Sequence, residues 1–288
     1  MTRIRRVEAV VNVASGSVGE DAPQLVEKIF ADHGVEANVC APSTDELTPC
    51  LRRAVDAAPD LLVVLAGDGT ARAAAELCGP GGPMVAPLAG GTMNMLPHAV
   101  YGARPWQDAL SIALAQGEER MLGGGEVEGR QFLVAGIFGA PALWAPAREA
   151  ARYGKPRLAM LRARRAMRRA FSGRLRYSLE GGEREKAEAL TFMCPLASRA
   201  LSEDEQVLEA AALDLKGALD AFRLGFHALT GDWRNDPAVI TERCRVARIW
   251  AQHGIPAILD GESVRLKALT EVRWRPDVVR VLGIPKDI

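Results

Sequence analysis

Three glycine-containing turns, each following an apolar run, are the parts of this sequence best suited to bind phosphate. In the first, LLVVLAGDGT, the residues Gly67, Asp68, Gly69 and Thr70 stand between a predicted buried strand and a helix. Glycine lets the backbone approach a ligand closely, and the amides at a helix start bind anions. An aspartate here can hold a phosphate-bound Mg²⁺ or orient a hydroxyl, although a plain turn capped by Asp68 is the alternative.

The second and third turns repeat this arrangement after two other predicted strands. Their candidate binding residues are Gly90, Gly91, Thr92 and Asn94 in the segment VAPLAGGTMN, and Asn12, Ser15 and Gly16 in the segment VVNVASG. The third turn is a weak signal by itself, and a capped loop is the alternative for the second. Because carboxyl ends of parallel strands meet at one sheet edge, we expect the first two turns to lie side by side and share a phosphate cradle.

An acidic pair late in the chain is the candidate base. Asp260 and Glu262 flank Gly261 after the apolar run PAIL. Taken alone, Asp-Gly is more typical of a hairpin turn. The pair gains interest because phosphoryl transfer needs a base near the acceptor hydroxyl. On an extended backbone the two carboxylates would share one face.

The elements that must position these residues form two predicted domains, 1–123 and 124–288. In the first, strands at 7–14, 35–41, 60–67 and 84–89 alternate with helices at 22–33, 44–57 and 71–78, and the GGTMN loop leads to a further helical stretch. This order predicts an α/β fold with a parallel sheet between helices. The second domain is predicted to be β-rich and mostly antiparallel, with a helical insertion at 142–171 and a turn at 128–129.

Composition excludes several classes of protein. The chain has 288 residues, and its 36 Lys and Arg balance its 36 Asp and Glu, so no overall field favours nucleic acid. No apolar run approaches the roughly 18 residues of a membrane span. The five cysteines and four histidines show neither paired nor metal-site spacing, which argues against a disulfide framework or a zinc cluster and favours a reducing, cytoplasmic compartment.

A local basic segment at 157–171 has helical spacing. Alanine, methionine and phenylalanine share one predicted face, and arginines lie opposite. Such a helix suits peripheral contact with the inner membrane surface, at roughly 1 kcal/mol per basic residue. A solvated helix that packs on the domain is an equally supported alternative. A homo-oligomer is also left open.

Taken together, the motifs resemble the diacylglycerol kinase catalytic-domain family, which includes sphingosine kinases and bacterial lipid kinases. The resemblance rests on N-x-x-S-G at 12–16, G-D-G-T at 67–70, P-L-x-G-G-T-M-N at 87–94 and D-G-E at 260–262. It implies a nucleotide-binding α/β domain and a β-rich lipid-binding domain, with the active site in the cleft. It also implies that the glycine loops bind ATP phosphates, that Asp68 helps place Mg²⁺, and that Asp260 and Glu262 activate a lipid hydroxyl, in either order of roles.

The sequence departs from the family pattern at several points. Ala66 stands where a first glycine is usual, Val13 where a proline is usual, and Met95 where an acidic residue is usual. Leu215-Lys216-Gly217 replaces an acidic motif that supports a second Mg²⁺, so that metal is not expected. A lipid kinase of phospholipid metabolism is the leading hypothesis. A kinase of a soluble acceptor, as in NAD kinases, and a non-catalytic nucleotide- or lipid-binding protein are the alternatives.

Overall fold

The computed structural model describes residues 4–139, 142, 175–202, 204–213 and 239–285. The chain divides into two compact units: Met1–Gly124 together with Pro276–Ile288, and Gly125–Arg275. The sequence-based division placed everything after residue 123 in the second domain. In the structure, the residues from Pro276 onward belong to the first unit, because the strand Leu269–Gly283 (β16) ends there and its Val281 pairs with Val85.

The first unit is a parallel sheet covered by helices. Its strands are β1 (Arg6–Val11), β2 (Glu36–Cys40), β3 (Leu61–Ala66) and β4 (Met84–Ala89), in the order β2-β1-β3-β4 and all parallel. Its helices are α1 (Ala22–Asp32), α2 (Leu47–Asp56), α3 (Asp68–Cys78), α4 (Met95–Tyr101) and α5 (Trp106–Gln116). Every residue of the central strand β3 is buried, as expected for an apolar run covered on both faces.

Two helix boundaries differ from the sequence prediction. The third helix begins at Asp68 rather than near residue 71, because Gly67 is extended and the chain turns into the helix at once. The helical stretch after the GGTMN loop consists of two helices, α4 and α5. Gly102, with a φ of 73°, ends the first, and Pro105 precedes the second.

The second unit consists of antiparallel strands in its described part. They are the end of β5 (Glu118–Val127), β6 (Arg130–Phe132), β7 (Ala135–Gly139), β8 (Leu175–Leu179), β9 (Glu185–Ala187), β10 (Ala189–Met193), β11 (Leu208–Leu213), β12 (Val239–Cys244), β13 (Val246–Trp250), β14 (Pro256–Leu259), β15 (Glu262–Arg265) and the start of β16. One sheet has the order β12-β11-β10-β7-β14-β15. Its core includes Phe138 and Phe192, whose rings meet edge to face at 5.4 Å.

The predicted fold class is confirmed: a parallel α/β part is followed by a mostly antiparallel β-rich part. The predicted turn at Glu128–Gly129 is also present, with both residues at positive φ. The predicted helical insertion at 142–171, the basic helix at 157–171 and the Leu215-Lys216-Gly217 segment lie outside the described residues, except that Ala142 is described. Within the described part, no helix has the length and apolar character needed to cross a bilayer.

Candidate active site

The first two glycine turns lie against each other at the carboxyl ends of β3 and β4. A β-carbon built on Gly91 would come within 2.7 Å of the Cα of Gly67, closer than real β-carbons approach a backbone atom. The position of Gly90 is equally restricted, since a β-carbon there would lie 2.8 Å from the backbone nitrogen of Ala66. The predicted side-by-side arrangement of these two turns is therefore confirmed, and glycine is required for the close approach of their backbones.

The third turn joins the same edge of the sheet. The Ser17 amide donates to the carbonyl of Gly90 at 3.3 Å, and the Ser17 hydroxyl donates to the carbonyl of Gly91 at 3.2 Å. A β-carbon on Gly16 would lie 3.9 Å from the Oγ1 of Thr92. Sequence reasoning missed Ser17, although a serine after a glycine turn was the available signal. The three turns thus form one connected surface.

Two asparagines shape these turns from within. The buried Asn94 has a left-handed backbone, with a φ of 49°. Its Oδ1 accepts from the Gly91 amide at 2.7 Å, and its Nδ2 donates to the Gly91 carbonyl at 3.0 Å. Asn12 accepts a hydrogen bond from the amide of Ala14 at 3.2 Å, as in an Asx turn. Asn94 therefore uses its side-chain amide to close the second turn, and a direct bond from Asn94 to a ligand stays a prediction.

Asp68 connects the first turn to the helix that follows the second. Its Oδ1 accepts a hydrogen bond from the Met95 amide, at the start of α4, at 2.6 Å. Burial raises the pKa of Asp68, while hydrogen bonds from the amides of Met95, Leu96 and Asn94 act in the opposite direction. Asp68 is only half-buried, so its carboxylate holds the two turns together and still reaches the surface.

The start of α3 is suited to an anion. Gly67 is its N-cap and supplies no side-chain hydrogen bond to the first turn, and the Gly67 carbonyl accepts from the amides of Thr70 and Ala71 at 3.1 Å. The helix dipole adds partial positive charge at this end. Thr92 in the neighbouring turn is exposed. The start of α3 and the exposed hydroxyl of Thr92 are therefore candidate donors to phosphate oxygens.

The donor set for a cation at this edge is small. Among the described residues, no three acidic, histidine or cysteine side chains come together in a way that could hold a metal ion. Mg²⁺ often binds through one or two carboxylates while phosphates and waters complete its octahedron. Asp68, a half-buried carboxylate at this edge, fits a Mg²⁺ carried in with phosphate and does not fit a cage made of protein alone.

In the second unit, Asp260 and Gly261 form the two-residue turn between β14 and β15. Both have positive φ, 44° and 88°, and Leu259 pairs with Glu262 across the turn. The hairpin reading is therefore confirmed. The expectation of an extended backbone that puts both acids on one face is wrong, because the turn occupies the position of Asp260.

The environment of Asp260 is unlike that of Glu262. Asp260 is 2% exposed, and its carboxylate accepts hydrogen bonds from the amides of Leu133 (2.6 Å), Val134 (3.0 Å) and Ala135 (2.9 Å). Its own amide donates to the carbonyl of Ala135 at 2.9 Å. Glu262, the first residue of β15, is half-buried. Asp260 thus fastens the hairpin turn to the bend between β6 and β7, and Glu262 is the more accessible acid.

Comparison with known proteins relates residues 6–124 of the first unit to a known family. The model of the diacylglycerol kinase catalytic domain matches residues 6–124. No curated protein matches the sequence. Residues 6–124, which carry all three glycine turns, match the model of this family, and the resemblance found in the sequence is confirmed.

Solved structures agree on the fold. A diacylglycerol kinase from Bacillus anthracis strain Sterne shares 12% identity over all of both chains, with a TM-score of 0.71. Another protein of that strain, solved as a candidate diacylglycerol kinase, shares 16% over all of both chains, with a TM-score of 0.75. An NAD kinase from Archaeoglobus fulgidus, solved with ATP, shares 12% over 97% of this chain and 94% of its own, with a TM-score of 0.53. The fold is therefore one that these two kinds of kinase share.

Proposed function

We propose that this protein is an ATP-dependent lipid kinase that transfers the γ-phosphate to a hydroxyl of diacylglycerol or a similar lipid. One observation carries the proposal. Three glycine turns meet at one sheet edge of a diacylglycerol kinase catalytic domain, and the Asp68 carboxylate joins two of them. Phosphoryl transfer requires mainly positioning and neutralisation of phosphate charge, which is what such an edge offers.

The glycine turns are proposed to bind the ATP phosphates. The amides at the start of α3 and the hydroxyls of Thr70, Thr92 and Ser15 are the donors, and the close packing of Gly67 on Gly91 leaves backbone rather than side chains at the surface. Asp68 is proposed to hold Mg²⁺ together with phosphate oxygens. When bound, Mg²⁺ neutralises the charge that develops between the β- and γ-phosphates.

Glu262 is proposed as the base that accepts the hydroxyl proton. Three backbone amides already bond the carboxylate of Asp260, and this side chain is 2% exposed, so an acceptor hydroxyl has poor access to it. The half-buried Glu262 has the better access. As the acceptor oxygen bonds to phosphorus, its proton passes to Glu262 and ADP leaves. Asp260 acts as a positioning residue, because it holds the turn from which Glu262 projects.

A kinase of a soluble acceptor is the second candidate, favoured by the fold shared with an ATP-bound NAD kinase. A non-catalytic nucleotide- or lipid-binding protein is a third. Incubation of the protein with ATP, Mg²⁺ and a total lipid extract, followed by mass spectrometry, should show one phosphorylated lipid class. A parallel incubation with NAD should show no product. Phosphorylated NAD without any phosphorylated lipid would contradict the lipid proposal, and ATP binding without either product would favour the non-catalytic candidate.

The variant that tests the base is Glu262→Gln, which keeps the size of the side chain and removes its basicity. A positioned base typically contributes about 10²–10⁴-fold in rate, so turnover should fall by that order. ATP affinity measured by calorimetry should stay near the wild-type value. Near-full turnover of this variant would exclude Glu262 as the base.

Membrane attachment is a separate proposal. We propose that the protein is cytoplasmic and that the basic segment 157–171 contacts anionic lipid at the inner membrane surface. Sedimentation with anionic vesicles should fall with added salt and after reversal of Arg164, Arg165 and Arg168 to Glu. Equal sedimentation of variant and wild type would favour the solvated-helix alternative.

A further inference from the structure

Two cysteine thiols meet beside the parallel sheet of the first unit. Cys40 is the last residue of β2 and is half-buried, while Cys50 lies in α2 and is buried. The Cys50 thiol donates a hydrogen bond to the sulphur of Cys40 at 2.7 Å. Both are free thiols, as are Cys78, Cys194 and Cys244. The odd number and wide spacing of the cysteines gave no hint of this pair.

The fold holds the two sulphurs together. Cys40 pairs with Val10 of β1, and α2 packs on the same strand. The connection between them, 41–49, is mostly exposed and contains Pro42 and Pro49, which restrict its backbone. A disulfide bond is about 2.05 Å long, so the sulphurs need to approach by less than about 1 Å.

The two thiols differ in burial, and this difference determines which of them an oxidant reaches first. Burial, followed by the hydrogen bond with Cys40, raises the pKa of Cys50 to about 12, so this residue remains a thiol near neutral pH. Cys40 is the more accessible of the two. Thiol oxidation follows exposure and thiolate character, so Cys40 is the sulphur that an oxidant reaches first.

We propose that Cys40 and Cys50 are a redox modification site that closes to a reversible disulfide when a hydroperoxide oxidises Cys40. Cys40 gives up its thiol proton and its sulphur attacks the terminal peroxide oxygen; the O–O bond breaks, the alkoxide takes up a proton and leaves as an alcohol, and Cys40 sulfenic acid forms. The Cys50 sulphur then attacks the sulfenic sulphur, the Cys50 proton passes to the departing hydroxyl, the S–S bond forms, and water leaves. The two thiols lose two electrons and the hydroperoxide gains them. A dithiol reductant restores both thiols.

The product would tie the end of β2 to α2 at the sheet edge that carries the glycine turns. The disulfide itself requires only these two side chains and is independent of the proposed kinase activity. The remaining cysteines serve as internal controls. Burial raises the pKa of Cys78 and Cys244 to about 12, and the Cys194 thiol donates to the carbonyl of Phe132.

Peptide mapping of the full chain tests the proposal directly. Trypsin cuts after Lys28 and Arg52, so both cysteines fall in one peptide, 29–52. After treatment with a stoichiometric hydroperoxide and then an alkylating agent, this peptide should carry no alkyl group and should lack two hydrogen atoms. Dithiothreitol added before alkylation should restore two alkyl groups.

Variants make the result decisive. In Cys50→Ser, Cys40 should stop at the sulfenic acid and react with a dimedone probe, while Cys78→Ser should give the same intramolecular disulfide as wild type. Peptide 29–52 with two alkyl groups after oxidation of a protein that still melts cooperatively would overturn the proposal. A Cys40–Cys40 link between two chains in place of the intramolecular bond would overturn it as well.

Discussion

Substitution of Asp260 by asparagine should destabilise the second unit, whatever it does to catalysis. The carboxylate has two oxygens in use: Oδ1 accepts from the amides of Val134 and Ala135, and Oδ2 accepts from the amide of Leu133. Asparagine can keep its carbonyl at the first position. Its NH₂ group must then face the Leu133 amide, so that a buried donor loses its acceptor.

The magnitude follows from those contacts. A buried amide left without a partner costs about 1–3 kcal/mol, and the two remaining hydrogen bonds weaken because the acceptor has lost its charge. We therefore expect Asp260→Asn to lower the free energy of unfolding by roughly 2–4 kcal/mol. Asp260→Ala removes the acceptor for all three amides and should cost more.

Urea denaturation of wild type, Asp260→Asn and Glu262→Gln is the measurement. Glu262 is half-buried at a strand end, and its conversion to glutamine, which keeps the size of the side chain, should lower stability less than Asp260→Asn does. The expected pattern is a destabilised Asp260 variant and a stable, inactive Glu262 variant. If Asp260→Asn were as stable as wild type and had lost turnover, Asp260 would be the base and the positioning role would be refuted.

Further predictions concern the first unit. Gly91→Ala places a β-carbon 2.7 Å from backbone and should cost about 1–3 kcal/mol by thermal melting, whereas Gly81→Ala, with nothing within 4 Å, should be neutral. In Gly67→Ala the nearest atom to the new β-carbon is 3.8 Å away, so the melting temperature should stay at the wild-type value while ATP affinity falls. An unchanged ATP affinity would show that Gly67 is not part of the phosphate site. Because burial raises the pKa of Asp68, kinase activity should be lost on acidification at a higher pH than the pKa of an exposed aspartate would give. Loss of activity only at the ordinary pKa of aspartate would contradict the role of Asp68. Hydrogen bonds from the amides of Arg6 and Arg5 lower the pKa of Asp60 in the folded protein. The ionised Asp60 therefore stabilises the fold above its unfolded pKa near 3.8, and this stabilisation is lost as the pH falls through the lower pKa of the folded protein. Asp60→Asn should make the melting temperature less dependent on pH in this acid range.

The sequence predicted the first unit well because its signals are local. Strand β4 was predicted with the bounds 84–89 that the structure has, since an apolar run stands between two glycine-containing turns. The meeting of the glycine turns followed from a general property of parallel sheets. The start of α3 was missed because Asp68 enters the helix directly after an extended glycine, and the propensity of Gly69 argued against a helix there.

The second unit was harder because its decisive contacts are distant in sequence. The amide of Ala135 and the carboxylate of Asp260 are 125 residues apart, and no local pattern announces their hydrogen bond. Strand β11, with the sequence LEAAAL, was not predicted, because alanine and leucine favour helix and only the pairing with β10 and β12 makes this segment a strand. The hairpin turn at Asp260 could be predicted from the local sequence, whereas the burial of the Asp260 carboxylate could not.

The departures from the family pattern can now be weighed by what each position contributes. At Met95 the contact with Asp68 comes from the backbone amide, so this hydrogen bond does not depend on the side chain at that position. Ala66 is buried at the end of β3, and its carbonyl accepts from the Gly90 amide at 3.0 Å, again a backbone contact. The contacts that join the glycine turns at these positions do not depend on the altered side chains. The departures at positions 66 and 95 therefore leave the backbone contacts between the glycine turns intact. This agrees with the kinase proposal.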